Sequence, residues 1–285
     1  MDRNSFKLNP GVKVSSRADF TDRGRTQYGD NFVGDFIDTP AYVGPVIASG
    51  GTVLSYTSGG IAYKSRTFTG SGSLSVIRGG KIGYLVVAGG GNTGVFGPVL
   101  SGPGGGGGML NSDNQAFGTY GKSIPKQGTS YVVAVGGGAS PSSIGSASQS
   151  FYIHTTAGGM GGYGSGYPGG SGGGASSNTE NFNAPCNHGG GGIGGQGHPG
   201  GGGHCHNQCG YAPHGGGGGA GGTGALGVAG SPRASSVYDG TSRNYAGGGG
   251  SVGDGGPCYP STASAGGEYG MGNSNPGVVI VAHRE

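Results

Sequence analysis

With 78 glycines and 15 prolines in 285 residues, the chain reaches the level at which a sequence without a strict period defaults to low complexity, and its glycines keep no collagen triplet phase. Charged residues make up only 9% and the formal net charge is +3, too weak a field to suggest a nucleic-acid or membrane-surface partner. No run approaches the ~18 apolar residues of a membrane span, so no membrane insertion is expected. Against disorder stand the low charge and several compact runs of β-branched and aromatic residues.

The first segment differs from the rest. Met1–Asp38 holds 12 of the 27 charged residues, of both signs, and four glycines. Its opening residues lack the apolar core of a secretion signal, which a glycine-rich wall protein or silk would be expected to carry. Val12–Arg23 is free of Gly and Pro yet has no helical stripe. The expectation for residues 1–49 is an extended N-terminal attachment arm, too polar to build a core, that lies on a partner, with a frayed terminus as an equal alternative.

From Gly50 the pattern turns to strands. Thr52–Tyr56 and Ile61–Phe68 alternate apolar with polar residues, as half-buried antiparallel strands do, and Ser73–Arg78 follows across another glycine turn. Tyr84–Val87, Tyr131–Val135 and Val278–Ala282 are continuously apolar, which predicts burial on both faces. Residues 50–88 therefore read as a β-strand anchor, and 277–285 as a C-terminal strand returning to it. Helix is almost excluded, since the longest stretches free of Gly and Pro are 12 residues and carry no stripe.

Between these parts, residues 89–276 alternate bare glycine clusters with short polar and aromatic segments. The clusters include Gly89–Gly91, Gly104–Gly108, Gly158–Gly162, Gly169–Gly174, Gly200–Gly203, Gly215–Gly222 and Gly247–Gly250, some with one interruption. A residue without Cβ lets two backbones approach until they hydrogen-bond directly. In an extended helix of three residues per turn, its N–H and C=O groups point outward to several neighbours, which could satisfy one another. Ordering a residue costs roughly 1–2 kcal/mol, and a hydrogen bond returns a net ~0.5–1.5 kcal/mol. One such segment alone does not fold; many, anchored on an apolar sheet, can. The fold class expected is mainly β and irregular: a small sheet plus a glycine-rich sandwich of packed polyglycine-II-like helices.

Phe68–Val76, Tyr84–Gly91, Val132–Gly138 and Asn275–Ala282 together resemble the glycine-rich domain of bacteriophage tail-fibre and other virion proteins. The alternation of clusters with variable segments is similar to the polyglycine-rich adhesins at the long tail-fibre tips of T-even-like phages. The resemblance spans about Gly50–Glu285. It implies packed polyglycine II helices, host-binding loops between them, a non-catalytic virion protein assembled in the host cytoplasm and exposed on the particle, and partners of two kinds: other virion proteins through the arm, and a host surface protein or glycan.

Tyr163, Tyr167, Asn181, Phe182, Asn183, Asn207, Tyr211, Tyr238 and Tyr245 stand in a matrix of Ser, Gly and Asn, the composition of recognition loops. For each single ring, covering a glycine layer is an equal alternative. Cys186, His188, His204, Cys205, His206 and Cys209 are dense enough to hold zinc or another late transition metal, although the spacing is not that of a finger. Disulfides among Cys186, Cys205, Cys209 and Cys258, or simple loop polarity, are the competing readings. The pair His204 and His206 also resembles the iron-binding His-x-His elements of some trimeric fibre tips, which would require a homotrimer.

Catalysis has little footing. Gly121-Lys122-Ser123 ends like a phosphate-binding loop, but Ala116 occupies the first glycine position and Pro125 follows where a helix should start. The function expected is therefore host recognition, with a structural capsid or fibre decoration and a self-associating fibrous protein as alternatives.

Overall fold

Strands that are apolar on both faces must be covered on both sides, and Tyr84–Val87 and Val278–Ala282 are buried at 5% exposure or less throughout. A computed structural model of the chain describes residues 45–58, 60–80, 82–96, 99–100, 102–112, 127–151, 153–176, 187–203, 214–235, 243–250, 268–272 and 274–285. Its strands are β1 (Ile47–Ser49), β2 (Thr52–Ser58), β3 (Ile61–Phe68), β4 (Gly72–Arg78), β5 (Gly83–Val87), β6 (Val95–Phe96), β7 (Val99–Leu100), β8 (Met109–Asn111), β9 (Thr129–Val133), β10 (Ser148–Ser150), β11 (Ile153–Thr155), β12 (Arg233–Ser235), β13 (Arg243–Tyr245) and β14 (Val278–Arg284). The described chain is mainly β and contains no α-helix.

The main sheet is antiparallel with order β2-β3-β14-β5-β8, so the last strand of the chain lies in its middle. Its inner register runs from Val278 opposite Val87 to Ala282 opposite Gly83. A second antiparallel sheet, β1-β4-β9, covers one face. Because side chains alternate along a strand, Tyr84, Val86, Val279 and Val281 enter the core shared with Leu74, Val76 and Val133 of the second sheet. Leu85, Val87, Val278 and Ile280 point the other way, onto Met109, Ala220, Tyr245 and Ala246. Each such aliphatic side chain, fully buried, contributes roughly 1.5–3 kcal/mol.

Two strands differ from expectation. Tyr131–Val135 is not buried on both faces: Val132 is 69% exposed while Val133 is fully buried, because β9 lies at the edge of a sheet whose outer face is uncovered among the described residues. Thr52–Tyr56 is mostly exposed rather than half-buried, since β2 is the edge of the main sheet and pairs only with β3. At the end of the expected arm, Ile47–Ser49 pairs with β4; residues 1–44 lie outside the described residues. Gly50 and Gly51, at φ of 105° and 65°, make the turn that carries the chain from the second sheet to β2.

The main sheet continues directly into the glycine clusters. Val87 of β5 pairs with both Val278 and Met109, and one residue further on the Ala88 amide donates to the Gly108 carbonyl at 2.9 Å. Beyond this point, bonds between the same two segments recur every third residue. Gly102, Gly105 and Gly108 donate to Gly162, Gly159 and Thr156; Gly158 and Gly161 donate to Gly89 and Asn92; Gly159 and Gly162 donate to Ser171 and Gly174. Successive amides of one segment turn to different neighbours. The segment Gly102–Gly108, buried throughout, is bonded to six others, through Gly91, Gly159, Ser171, Gly218, Gly249 and Gly270. A Cβ on Gly105, Gly106 or Gly107 would fall within 3.0 Å of a backbone carbonyl of another segment. Ladder hydrogen bonds here replace side-chain packing, and only glycine permits the approach.

Candidate recognition surface at the far end of the glycine array

The hydrogen-bond register gives the array two ends. Ala88, Gly108, Thr156, Gly170, Gln196 and Ala220 lie near the sheet, joined by bonds such as Gly108 to Thr156, Gly170 to Ala157, Met109 to Gln196 and Ala220 to Ala246. Gly91, Gly102, Gly162, Ala175, Gly201 and Gly215 lie at the other end, where Gly102 donates to Gly162, Ala175 to Gly201 and Gly215 to Ala175.

At this far end four chain positions are stitched together. The Asn187 side-chain amide donates to the Ser176 carbonyl at 2.9 Å, and the Gly203 amide donates to the Asn187 carbonyl at 3.0 Å. Gly215 donates to Ala175 at 2.9 Å, which brings His214 alongside. Ser176 and Asn187 flank residues 177–186, and Gly203 and His214 flank residues 204–213. Both intervening segments thus begin and end on one small patch of the array.

Beside it runs the turn Tyr163–Tyr167. Gly164, at φ 96°, donates to the Ser176 hydroxyl at 2.7 Å, while the Ser176 amide donates to the carbonyls of both Gly162 and Gly164. Gly166 donates to the His188 carbonyl at 2.8 Å. Tyr163 is 51% exposed and Tyr167 46%, so two aromatic faces stand in solvent on a backbone fixed by five hydrogen bonds.

Tyr245, expected among the recognition residues, is instead 1% exposed and stacks on Tyr269 with ring centroids 6.3 Å apart. It is the last residue of β13, at the sheet end of the array, and fills the second core under Val87 and Ile280. The alternative of a ring covering a layer applies to it. Asn181, Phe182, Asn183, Asn207, Tyr211 and Tyr238 lie outside the described residues, as do Cys186, His204, Cys205, His206, Cys209 and Cys258. Of the expected metal ligands only His188 is described, and it is exposed. The neighbouring histidines are each fixed through their backbone: the His188 carbonyl accepts from Gly166, His198 bonds Gly219 and Gly172, and the carbonyl of His214, 8% exposed, accepts from Gly227. Among the described residues no three His, Cys, Asp or Glu side chains come together to hold a metal ion.

Sequence reasoning overlooked Ser176 and Asn187, the residues that tie the stems. Their signal was present: small polar residues at the borders of a glycine cluster, where side chains bond nearby backbone. Fold and site together define a β-sheet protein whose strands extend into a hydrogen-bonded glycine array with a polar, aromatic far end. The chain matches no family model, no curated protein and no solved structure.

Proposed function

We propose that this chain is a non-catalytic bacteriophage virion protein, a tail-fibre or appendage adhesin that recognises the host surface through loops carried on a polyglycine II scaffold. The three-residue recurrence of the hydrogen bonds and the six-fold surround of Gly102–Gly108 support the scaffold reading. So does the backbone: among described cluster glycines only Gly195, at the end of its cluster, has a φ in the left-handed region. The observation that carries the functional reading is the convergence of the stems Ser176, Asn187, Gly203 and His214 on one patch beside exposed Tyr163 and Tyr167. A rigid scaffold presenting tyrosine-rich and small polar segments from one end is the arrangement of a recognition surface. In this reading residues 1–44, which precede the sheet, attach the protein to its particle.

The test exchanges residues 177–185 and 204–213 for foreign sequences of equal length, leaving the tied stems untouched. Purified wild-type protein is expected to bind host cells or their surface glycans, and the exchanged variants to lose that binding while keeping their thermal transition. Equal binding by the exchanged variants would overturn the reading. A protein that binds only virions would mark a decoration, and one that sediments alone a fibre former.

A further inference from the structure

β2, at one edge of the main sheet, lacks every device that usually guards an edge. Natural edge strands are blunted by short length, lysine, proline or a bulge. β2 instead runs Thr52–Ser58 beside β3 for seven residue pairs with no shift in register, and it carries no charge and no proline. The opposite edge follows the rule: β8 is three residues long, with Met109 and Leu110 buried. On β2, Val53 and Leu54 are each 47% exposed and lie on opposite faces of the strand.

Two hydrogen bonds give the direction of the backbone groups. The buried Ser65 hydroxyl donates to the Leu54 carbonyl at 3.4 Å, so Leu54 faces β3. The Glu285 amide donates to the Ala62 carbonyl at 3.1 Å, so Ala62 faces β14 and its opposite number in β2, Thr57, faces away from the sheet. In an antiparallel strand the N–H and C=O of one residue point to the same side, and successive residues alternate. Thr52, Leu54, Tyr56 and Ser58 therefore bond β3, whereas Val53, Ser55 and Thr57 aim their amides and carbonyls outward. Among the described residues β2 pairs with no strand but β3.

This outward set is symmetric about Ser55. A second copy laid antiparallel, Ser55 opposite Ser55, sets Val53 of each copy against Thr57 of the other, and each of these pairs exchanges two hydrogen bonds. No other antiparallel register engages all the outward residues of both copies. The same register puts Leu54 of each copy opposite Tyr56 of the other, on the face where Tyr56 already stacks on Tyr63 with ring centroids 5.4 Å apart. Aromatic and β-branched cross-strand pairs of this kind stabilise neighbouring strands.

We infer that a second copy of this chain docks edge to edge on β2, joining the two main sheets into one through a two-fold axis at Ser55. Such an interface is self-complementary and consumes both β2 edges. The edges left over are the short β8 strands, so association closes at two copies. The glycine array leaves the sheet at the end where β2 begins, at Ala88 after β5 and Gly277 before β14. Because the axis reverses β2, the two arrays leave the shared sheet from opposite ends.

Sedimentation equilibrium of the full chain at up to about 100 µM, where a small interface associates, is expected to show a monomer–dimer equilibrium. Amide hydrogen exchange reads the register: Val53, Ser55 and Thr57 should slow as concentration rises, while Leu54 and Tyr56 are slow throughout. Ser55→Pro removes an outward amide and leaves the ladder to β3 intact, so it is expected to weaken the dimer about tenfold or more with an unchanged circular dichroism spectrum. Should that variant fail to fold, Leu54→Lys sets a cation against the apolar pair and carries the same expectation. A chain that stays monomeric or grows beyond a dimer, protection of Val53, Ser55 and Thr57 that persists on dilution, or a dimer untouched by these substitutions overturns the inference.

Discussion

The Gly107 amide donates to the Gly270 carbonyl at 2.7 Å, and a Cβ on Gly107 would fall on the backbone oxygen of Ala88. Neither obstacle is a side chain that can rotate away. Gly107→Ala is therefore expected to cost about 3 kcal/mol or more, at or beyond the usual top of overpacking. Gly137 offers the contrast: it is exposed, no atom lies within 4 Å of its Cβ position, and its φ is ordinary. Gly137→Ala should leave stability unchanged or raise it by up to ~1 kcal/mol, by reducing the freedom of the unfolded chain. Chemical denaturation of the two variants measures the difference; equal losses would remove the packed-backbone account of the array.

Tyr245 and Tyr167 should separate stability from recognition. Truncating the buried ring in Tyr245→Ala leaves a cavity beneath Val87 and Ile280 and is expected to cost about 3–5 kcal/mol. Tyr167→Ala removes a ring that is 46% exposed and should change stability by less than about 0.5 kcal/mol. Under the proposed function it lowers binding to host cells. Thermal melting and a cell-binding assay on both variants read the two effects independently.

The centre of the main sheet is supplied by the last residues of the chain. Ile280 is 1% exposed and sits opposite both Leu85 and Thr67. Ile280→Ala is expected to cost about 2–5 kcal/mol. Removal of residues 278–285 leaves β3 and β5 without their shared partner, exposing unpaired backbone on both. The expected outcome is loss of soluble folded protein, read by expression and circular dichroism.

The pH dependence of stability follows from His283. Burial, with Arg66 and Lys64, lowers its folded pKa below the ordinary 6.5. The unfolded chain then binds the proton more readily, so stability is fully present above about 6.5 and is lost as pH falls below it. His283→Gln should flatten that part of the profile. Glu285, held below its ordinary 4.5 chiefly by its hydrogen bond from Lys64, acts in a separate window below about 4.5. Denaturation midpoints measured from pH 8 to pH 5 in wild type and variant check the assignment; an unchanged slope in His283→Gln would refute it.

Much of the β framework was legible in residue patterns. Continuous apolarity in Tyr84–Val87 and Val278–Ala282 predicted their burial, and the scarcity of long Gly- and Pro-free stretches predicted the absence of helix in the described chain. The same rule failed for Tyr131–Val135, because apolar composition does not say whether a second layer arrives; Val132 faces outward on an edge strand. At the candidate surface, tyrosine content pointed equally to Tyr163, Tyr167 and Tyr245. Composition cannot tell a ring that caps a layer from one in solvent, and the two outcomes divide Tyr245 from the others.

The sequence by itself determined where strands and glycine clusters fall, since alternation, apolar runs and the absence of Cβ are local properties. Only the tertiary structure decided that β14 enters between β3 and β5, that Gly102–Gly108 is surrounded by six other segments, and that Ser176, Asn187, Gly203 and His214 meet at one end. It alone set Lys64, Arg66 and His283 on one face of the main sheet. The physical reason is that a glycine carries no side chain to specify its neighbour. Each cluster offers the same amides and carbonyls; for those that adjoin β5, β8 and β11 the neighbouring strand fixes where the ladder starts, in a register set across distances that no local pattern encodes.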